Sequence, residues 1–166
     1  VLRGFVDRVD LWNEDGRNYF RVVDYKTGKK DFDYCDVYNG VGLQMLLYLF
    51  ALEQNGAGVL GGHSTAAGVQ YFPARAPLVS ADGRLTAEEA VKQRKKLRRR
   101  KGLLLNSDPV LQAMESGEEF NLLPCTRRKD GTITGDLATS QQLRQLQKYL
   151  FKLLADMVNE IASGLI

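Results

Sequence analysis

The chain has 166 residues, 44% of them hydrophobic and 26% charged, which suits one globular domain with a real core. A net charge of +3 is too small to demand a polyanionic partner, and no apolar run reaches the roughly 18 residues of a membrane span, so a membrane role is excluded from the reading. Cys35 and Cys125 are the only cysteines and no secretory signal precedes them, so two reduced thiols in a cytoplasmic protein are expected.

Val1 stands where a Met would begin a protein and already lies in a strand-like run, so residues 1–166 read as one domain cut from a longer chain. Residues 2–11 and 18–25 predict two strands around Asp15-Gly16, a strong hairpin signal between alternating apolar residues. With Asp15-Gly16 as the two-residue loop, Asp7 falls opposite Asp24, and opposed side chains have Cβ atoms roughly 5 Å apart. Asp36 is the expected N-cap of a helix over residues 37–54, apolar nearly all round and therefore buried. Gly40-Val41-Gly42 lies inside that predicted helix and is not a phosphate loop, because no Gly-Lys-Ser/Thr follows. Gly-rich residues 55–62 end the helix, and a third strand runs from Ala67 to Pro73. Strand, buried helix and strand imply an α/β crossover and, given the antiparallel first pair, a mixed sheet.

Thr86-Ala87-Glu88-Glu89 is a capping box that opens a helix to about residue 101, and Asp108-Pro109 opens a shorter one. Residues 119–135 predict a second hairpin around Asp130-Gly131. Thr139 to Gln142 is another capping box, starting a helix to about Ser163 with a leucine-rich stripe. The motif-bearing core is thus about 1–73, with a helical and hairpin remainder over 74–166.

Asp7, Asp24 and Lys26 form the sharpest constellation. Asp24 and Lys26 are two apart on one strand and share a face. Two opposed carboxylates repel and call for a cation between them. Paired oxygen ligands suit Mg²⁺, which keeps several waters and often uses only one or two carboxylates. An ammonium beside it could orient water or stabilise charge on an attacked phosphate. The competing reading is a surface salt bridge between Asp7 and Lys26. Gln44 and Tyr48 lie four apart, on one helix face, where an otherwise apolar helix would present them to something polar. The alternative is a glutamine at a helix edge with a core tyrosine.

These motifs in order, Gly4-Phe5-Val6-Asp7, Asp24-Tyr25-Lys26 and Gln44-Met45-Leu46-Leu47-Tyr48, resemble the PD-(D/E)XK nuclease superfamily. The likeness is closest to its RecB-like branch and, within that, to the C-terminal nuclease domains of AddB/RexB-type proteins of helicase–nucleases. The resemblance implies a restriction-endonuclease-like α/β fold with a central mixed sheet flanked by helices. It implies Asp7, Asp24 and the Tyr25 backbone carbonyl as ligands of Mg²⁺ or Mn²⁺, and Lys26 as the catalytic lysine. Gln44 and Tyr48 would line the site and hold the phosphate or the lysine. The implied activity is metal-dependent exonucleolytic hydrolysis of DNA in double-strand-break repair and recombination, in the bacterial cytoplasm, beside an AddA-like helicase subunit. Two rival readings are a non-catalytic DNA-binding or scaffold module with the same fold, and another RecB-like nuclease of the Cas4 kind.

The chain departs from the family pattern in two ways. It starts at the first strand, without the helix that opens the family core. AddB-like domains also carry four cysteines for an iron–sulfur cluster, and Cys35 and Cys125 lack the close spacing this needs, so no cluster is assigned to this chain, although a parent protein could hold one. The fragment's own metal affinity and activity are left open by these departures.

Eight of the ten residues from Lys92 to Lys101 are basic (Lys92, Arg94, Lys95, Lys96, Arg98, Arg99, Arg100, Lys101), which is suited to DNA phosphates, or else to a solvated face or a contact with a partner subunit. Arg127-Arg128-Lys129 reads as a solvated turn, and His63, the sole histidine, as a loop residue without a partner motif.

Overall fold

The computed structural model describes residues 3–75, 78–79 and 83–164. A five-stranded mixed sheet runs in the order β1-β2-β3-β4-β7, where β1 is Arg8–Glu14, β2 Arg17–Lys26, β3 Ser64–Pro73, β4 Lys101–Leu105 and β7 Leu137–Ala138. The β1–β2 turn is closed by Asp15 (φ 48°) and Gly16 (φ 79°), the pair of positive φ angles that a two-residue hairpin requires. The expected register holds from Glu14↔Arg17 to Arg8↔Val23. β2 then runs parallel to β3, with Asp24 beside Tyr71, Tyr25 beside Phe72 and Lys26 beside Pro73. This is the α/β crossover and mixed sheet read from the sequence.

The connection between β2 and β3 differs from the single helix expected over 37–54. A short α1 (Tyr34–Tyr38) is capped by Asp33, whose side chain accepts from the Cys35 N–H, so Asp33 and not Asp36 is the N-cap. Gly40 (φ 77°) and Gly42 (φ 68°) then take the chain out of helical geometry, and α2 (Gln44–Asn55) starts afresh. Gly40-Val41-Gly42 therefore separates two helices instead of lying inside one. Met45, Leu46, Leu49 and Phe50 of α2 are buried against Phe20, Val22 and Val69 of the sheet. Burying such side chains contributes about 1.5–3 kcal/mol each. A four-residue turn of helix, α3 (Ala57–Leu60), precedes β3.

α4 (Ala87–Leu97) has both halves of the expected capping box, but it stops before residue 101. Lys101 instead opens β4, antiparallel to β3, because its Leu103, Leu104 and Leu105 are all buried in the sheet. α5 (Asp108–Met114) follows, then a separate two-stranded sheet of β5 (Cys125–Arg127) and β6 (Ile133–Gly135), the hairpin expected around Asp130-Gly131. β7 was not expected. α6 (Ser140–Ser163) carries the second complete capping box.

The sheet separates two cores. On one face Phe20, Val22, Val69, Leu103 and Leu105 meet α2 and α6 through residues such as Leu143 and Leu150. On the other, Leu104 packs with Leu111, Phe120, Leu123 and Cys125. Glu53 links the layers: its Oε1 accepts from the Ala66 N–H at 2.9 Å and its Oε2 from Gln147 Nε2 at 3.3 Å. No helix among the described residues is long and apolar enough to cross a membrane.

Candidate active site

Strand alternation places Phe20, Val22, Asp24 and Lys26 on the α2 face of β2. The first two are core; the last two emerge where the sheet ends. The Lys26 ammonium lies 2.6 Å from Asp24 Oδ2. The Asp24 side chain is only 13% exposed, and its Oδ2 makes no geometrically proper hydrogen bond, so its charge is balanced by the ion pair alone. The ion pair of Lys26 is thus with Asp24, and the alternative Asp7–Lys26 bridge does not form.

Asp7 lies one residue before the first paired residue of β1, so the strand expected from residue 2 starts only at Arg8 (residue 2 itself lies outside the described residues). In place of ladder pairing, Asp7 Oδ2 accepts from the Tyr25 N–H at 3.1 Å. This holds the exposed Asp7 carboxylate at the end of β2, against the peptide linking Asp24 to Tyr25. Tyr71, the β3 neighbour of Asp24, is buried; burial first, and the Asp24 carboxylate second, push its phenol up and keep it neutral.

Gln44 and Tyr48 meet on the first turns of α2, where Gln44 Nε2 donates to the Tyr48 hydroxyl at 2.8 Å. Gln44 is exposed and Tyr48 half-buried, so the glutamine sits at the edge of an otherwise apolar helix, while the tyrosine is not fully in the core. Gly4 has a part that the sequence did not reveal. A Cβ there would lie 2.5 Å from the Tyr48 ring and hydroxyl, so the glycine lets the tyrosine lie against the segment leading to Asp7. The contact joins residues far apart in sequence and leaves no local signal beyond the glycine itself.

Among the described residues no group of three or more His, Cys, Asp or Glu side chains gathers at one point. Asp7, held on the Tyr25 N–H, and Asp24 bring carboxylates to one end of β2, and carboxylate oxygens are donors of the hard kind Mg²⁺ accepts while keeping its waters. The buried, hydrogen-bond-poor Asp24 oxygen fits such an ion. Cys35 is exposed on α1, and Cys125 is buried, its thiol pushed up to about 11 chiefly by burial.

The basic run divides. Lys92, Arg94, Lys95 and Lys96 are placed on α4, all exposed, and Arg98 is exposed at its C-cap. Arg99 turns inward and donates to the carbonyls of Leu123 and Cys125 and to the Thr126 hydroxyl. Arg100 lies over the Phe72 ring, 3.8 Å from its centroid, and Lys101 pairs with Asp31 at 2.9 Å. Arg127 pairs with Asp108, so that residue of the Arg127-Arg128-Lys129 turn is not merely solvated.

The fold is a mixed sheet whose first hairpin carries Asp7, Asp24 and Lys26 toward one end, with a Gln–Tyr pair on the crossover helix. A profile of the PD-(D/E)XK nuclease superfamily matches residues 1–164, and the chain belongs to that superfamily. It is 37% identical over 167 residues to the B-type subunit of the ATP-dependent helicase/deoxyribonuclease of Acetivibrio thermocellus, with 98% of this chain and 15% of the relative covered. The proteins of the same name from Clostridium perfringens (34% identity, covering 98% of this chain and 15% of the relative) and Symbiobacterium thermophilum (35%, covering 99% and 14%) are similar. The chain spans about 15% of the length of these curated relatives.

Proposed function

We propose that this chain is the hydrolytic module of a Mg²⁺-dependent DNA exonuclease. It would work within a bacterial helicase–nuclease, beside an AddA-like helicase subunit, in cytoplasmic double-strand-break repair and recombination. The observation that carries the reading is the Asp24–Lys26 pair: a nearly buried carboxylate whose charge is answered only by an ammonium, at a sheet end shared with Asp7 and faced by the Gln44–Tyr48 helix. Family membership supports the nuclease class, and the names of the relatives support DNA as substrate and a second subunit as partner.

Asp7, Asp24 and the Tyr25 carbonyl would hold Mg²⁺, with Mn²⁺ as a substitute. When bound, the ion supplies Lewis-acid polarisation of the scissile phosphate and neutralises its charge. Asp24 fixes the Lys26 ammonium at the sheet end, where it can donate hydrogen bonds to a phosphate oxygen or orient the attacking water. The Tyr25 N–H bond steers the Asp7 carboxylate toward the same point. Gln44 orients the Tyr48 hydroxyl, and the pair offers donors to a second phosphate oxygen. Lys92, Arg94, Lys95, Lys96 and Arg98 add a positive approach surface, while Arg99 and Lys101 are occupied within the fold.

The test is degradation of linear DNA by the intact protein with Mg²⁺, repeated with Asp24→Ala and Lys26→Ala. Each substitution should lower the rate by about 10²-fold or more, the scale on which preorganised electrostatic groups act. Equal degradation by both variants and the parent removes the site. DNA binding without hydrolysis in the parent itself makes the module a scaffold.

A further inference from the structure

The face of the sheet opposite Asp24 and Lys26 carries a second charged assembly. Arg8, Asp10 and Arg21 project there from β1 and β2, Gln70 and Phe72 from β3, and Arg100 from the approach to β4. The guanidinium carbons of Arg100, Arg21 and Arg8 lie 3.8, 5.5 and 5.9 Å from the Phe72 ring centroid. Among the described residues Asp10 is the carboxylate paired directly with this group, 2.5 Å from Arg8 Nε and 2.7 Å from an Arg21 nitrogen. Arg21 spends a further donor on Gln70 Oε1 at 2.6 Å, and Arg8 one on the Tyr25 hydroxyl at 3.1 Å.

The assembly is short of acceptors. Gln70 is fully buried, and its Nε2 donor has no partner. Among the described residues Arg100 pairs with no carboxylate. Glu115 is the acid that acts on it most strongly, but both its oxygens accept main-chain N–H groups of Asn121, Leu122 or Leu123. Burial first, and the charge of Arg21 second, depress the Arg100 guanidinium below its ordinary value, only partly offset by Glu115 and Asp10. Beside it opens a cleft of about 280 Å³ whose lining includes Phe72, Arg75, Arg98, Arg100 and Leu122. Phe72 is the β3 neighbour of Tyr25, so the cleft lies at the same end of the sheet as the candidate active site, on its other face.

We propose that this cleft binds a backbone phosphate of a DNA strand, with Arg98 and Arg100 as its principal ligands and Phe72 as the platform that holds Arg100 flat. The planar guanidinium fork matches phosphate oxygens, and stacking on an aromatic ring fixes its plane in advance. A strand held here would be anchored next to the Asp24–Lys26 end of β2, which gives the module a fixed contact in addition to the diffuse charge of α4. The proposal deepens the DNA-nuclease reading by naming where the strand is gripped.

The test measures binding of a fluorescein-labelled single-stranded oligonucleotide to the intact protein by anisotropy, in EDTA, between about 50 and 200 mM salt. Arg98→Gln with Arg100→Gln should weaken binding about tenfold or more and flatten the log–log salt dependence by about 0.7 for each phosphate no longer neutralised. Arg100→Lys, which keeps the charge but loses the stacked fork, should recover only part. Lys92→Gln, Lys95→Gln and Lys96→Gln together should cost less than the arginine pair. Unchanged affinity and slope in the arginine pair, or an equal loss in the lysine triple, overturns the cleft. If Arg100→Gln melts early, exposed Arg98→Gln alone carries the same comparison. Without metal the assay is independent of hydrolysis. Loss of hydrolysis in Asp24→Ala with normal binding by the arginine variants defeats only the cleft. Impaired binding by those variants in a protein that never hydrolyses DNA defeats only the nuclease reading.

Discussion

At the scale of single residues, Gly4 gives the sharpest separation of site from scaffold. Its missing Cβ is the space that the Tyr48 ring uses, and the atoms in the way belong to the far end of a side chain that can swing aside. Gly4→Ala should therefore cost little stability, under about 1 kcal/mol for an exposed position, while displacing Tyr48 from Gln44. Misplacing a group by about 1 Å can cost up to 10²-fold in rate, so hydrolysis should fall by at least tenfold with an unchanged melting temperature. Tyr48→Phe should add little further loss in the Gly4→Ala background, because both changes remove one arrangement. A melting temperature that drops in step with activity would make Gly4 merely structural. The individual motif residues were readable because each has a local reason. Asp24 and Lys26 share a strand face by period, and Gln44 and Tyr48 share a helix face. The Gly4–Tyr48 contact and the arginines around Phe72 were not readable, since they join strands and loops whose approach only the folded sheet defines.

At the scale of elements, the chain was legible where starts are chemically marked and obscure where ends are not. Asp15-Gly16 fixed a register, and Thr86 and Thr139 fixed two helix starts through capping boxes. Nothing comparable marks the end of α4, since its basic run continues into β4 and masks the change from helix to strand. The break before α2 was signalled by Gly40 and Gly42, yet the surrounding leucines outweighed them in the periodicity. β4 also depends on a glycine. A Cβ on Gly102 (φ 143°) would meet the Val69 carbonyl oxygen at 2.0 Å, and backbone on a neighbouring strand cannot swing away. Gly102→Ala should part β3 from β4 and cost several kcal/mol, the large effect reserved for strain at a special φ combined with overpacking. Gly58 in α3 has open space around its Cβ position, so Gly58→Ala should be neutral or stabilise by up to about 1 kcal/mol. Urea unfolding of the two variants checks the contrast, and similar midpoints would refute it.

At the scale of the whole molecule, the sheet divides two electrostatic regimes. One face ends in Asp7 and Asp24 beside Lys26; on the other, Asp10 pairs with Arg8 and Arg21 while Arg100 lies close by. The Asp10 charge links the stability of the fold to pH. Burial raises the Asp10 carboxyl, but hydrogen bonds from Arg8 and Arg21 outweigh it and hold the group below the usual carboxylate range. Because the folded value lies below the unfolded one of about 3.9, the stabilisation is fully present above that pH. It is lost as pH falls through the lower, folded value. Protonation also leaves the buried Arg21 among like charges, which adds to the loss. Asp31 and Asp108 are shifted in the same direction by Lys101 and Arg127, but both are largely solvated and count for less. The protein should therefore hold nearly constant stability from neutral pH to about 4 and lose it steeply below. Asp10→Asn should be less stable at pH 7 by about 1–3 kcal/mol, between the scales for exposed and buried ion pairs, because Asp10 is half-buried and Arg8 exposed. The same variant should show a shallower fall on acidification, so the two curves converge once pH has dropped below the folded value of Asp10. Urea midpoints of parent and variant across this range decide the matter: parallel curves would mean that the acid sensitivity arises elsewhere, and that the arginine face does not depend on Asp10 for its charge balance.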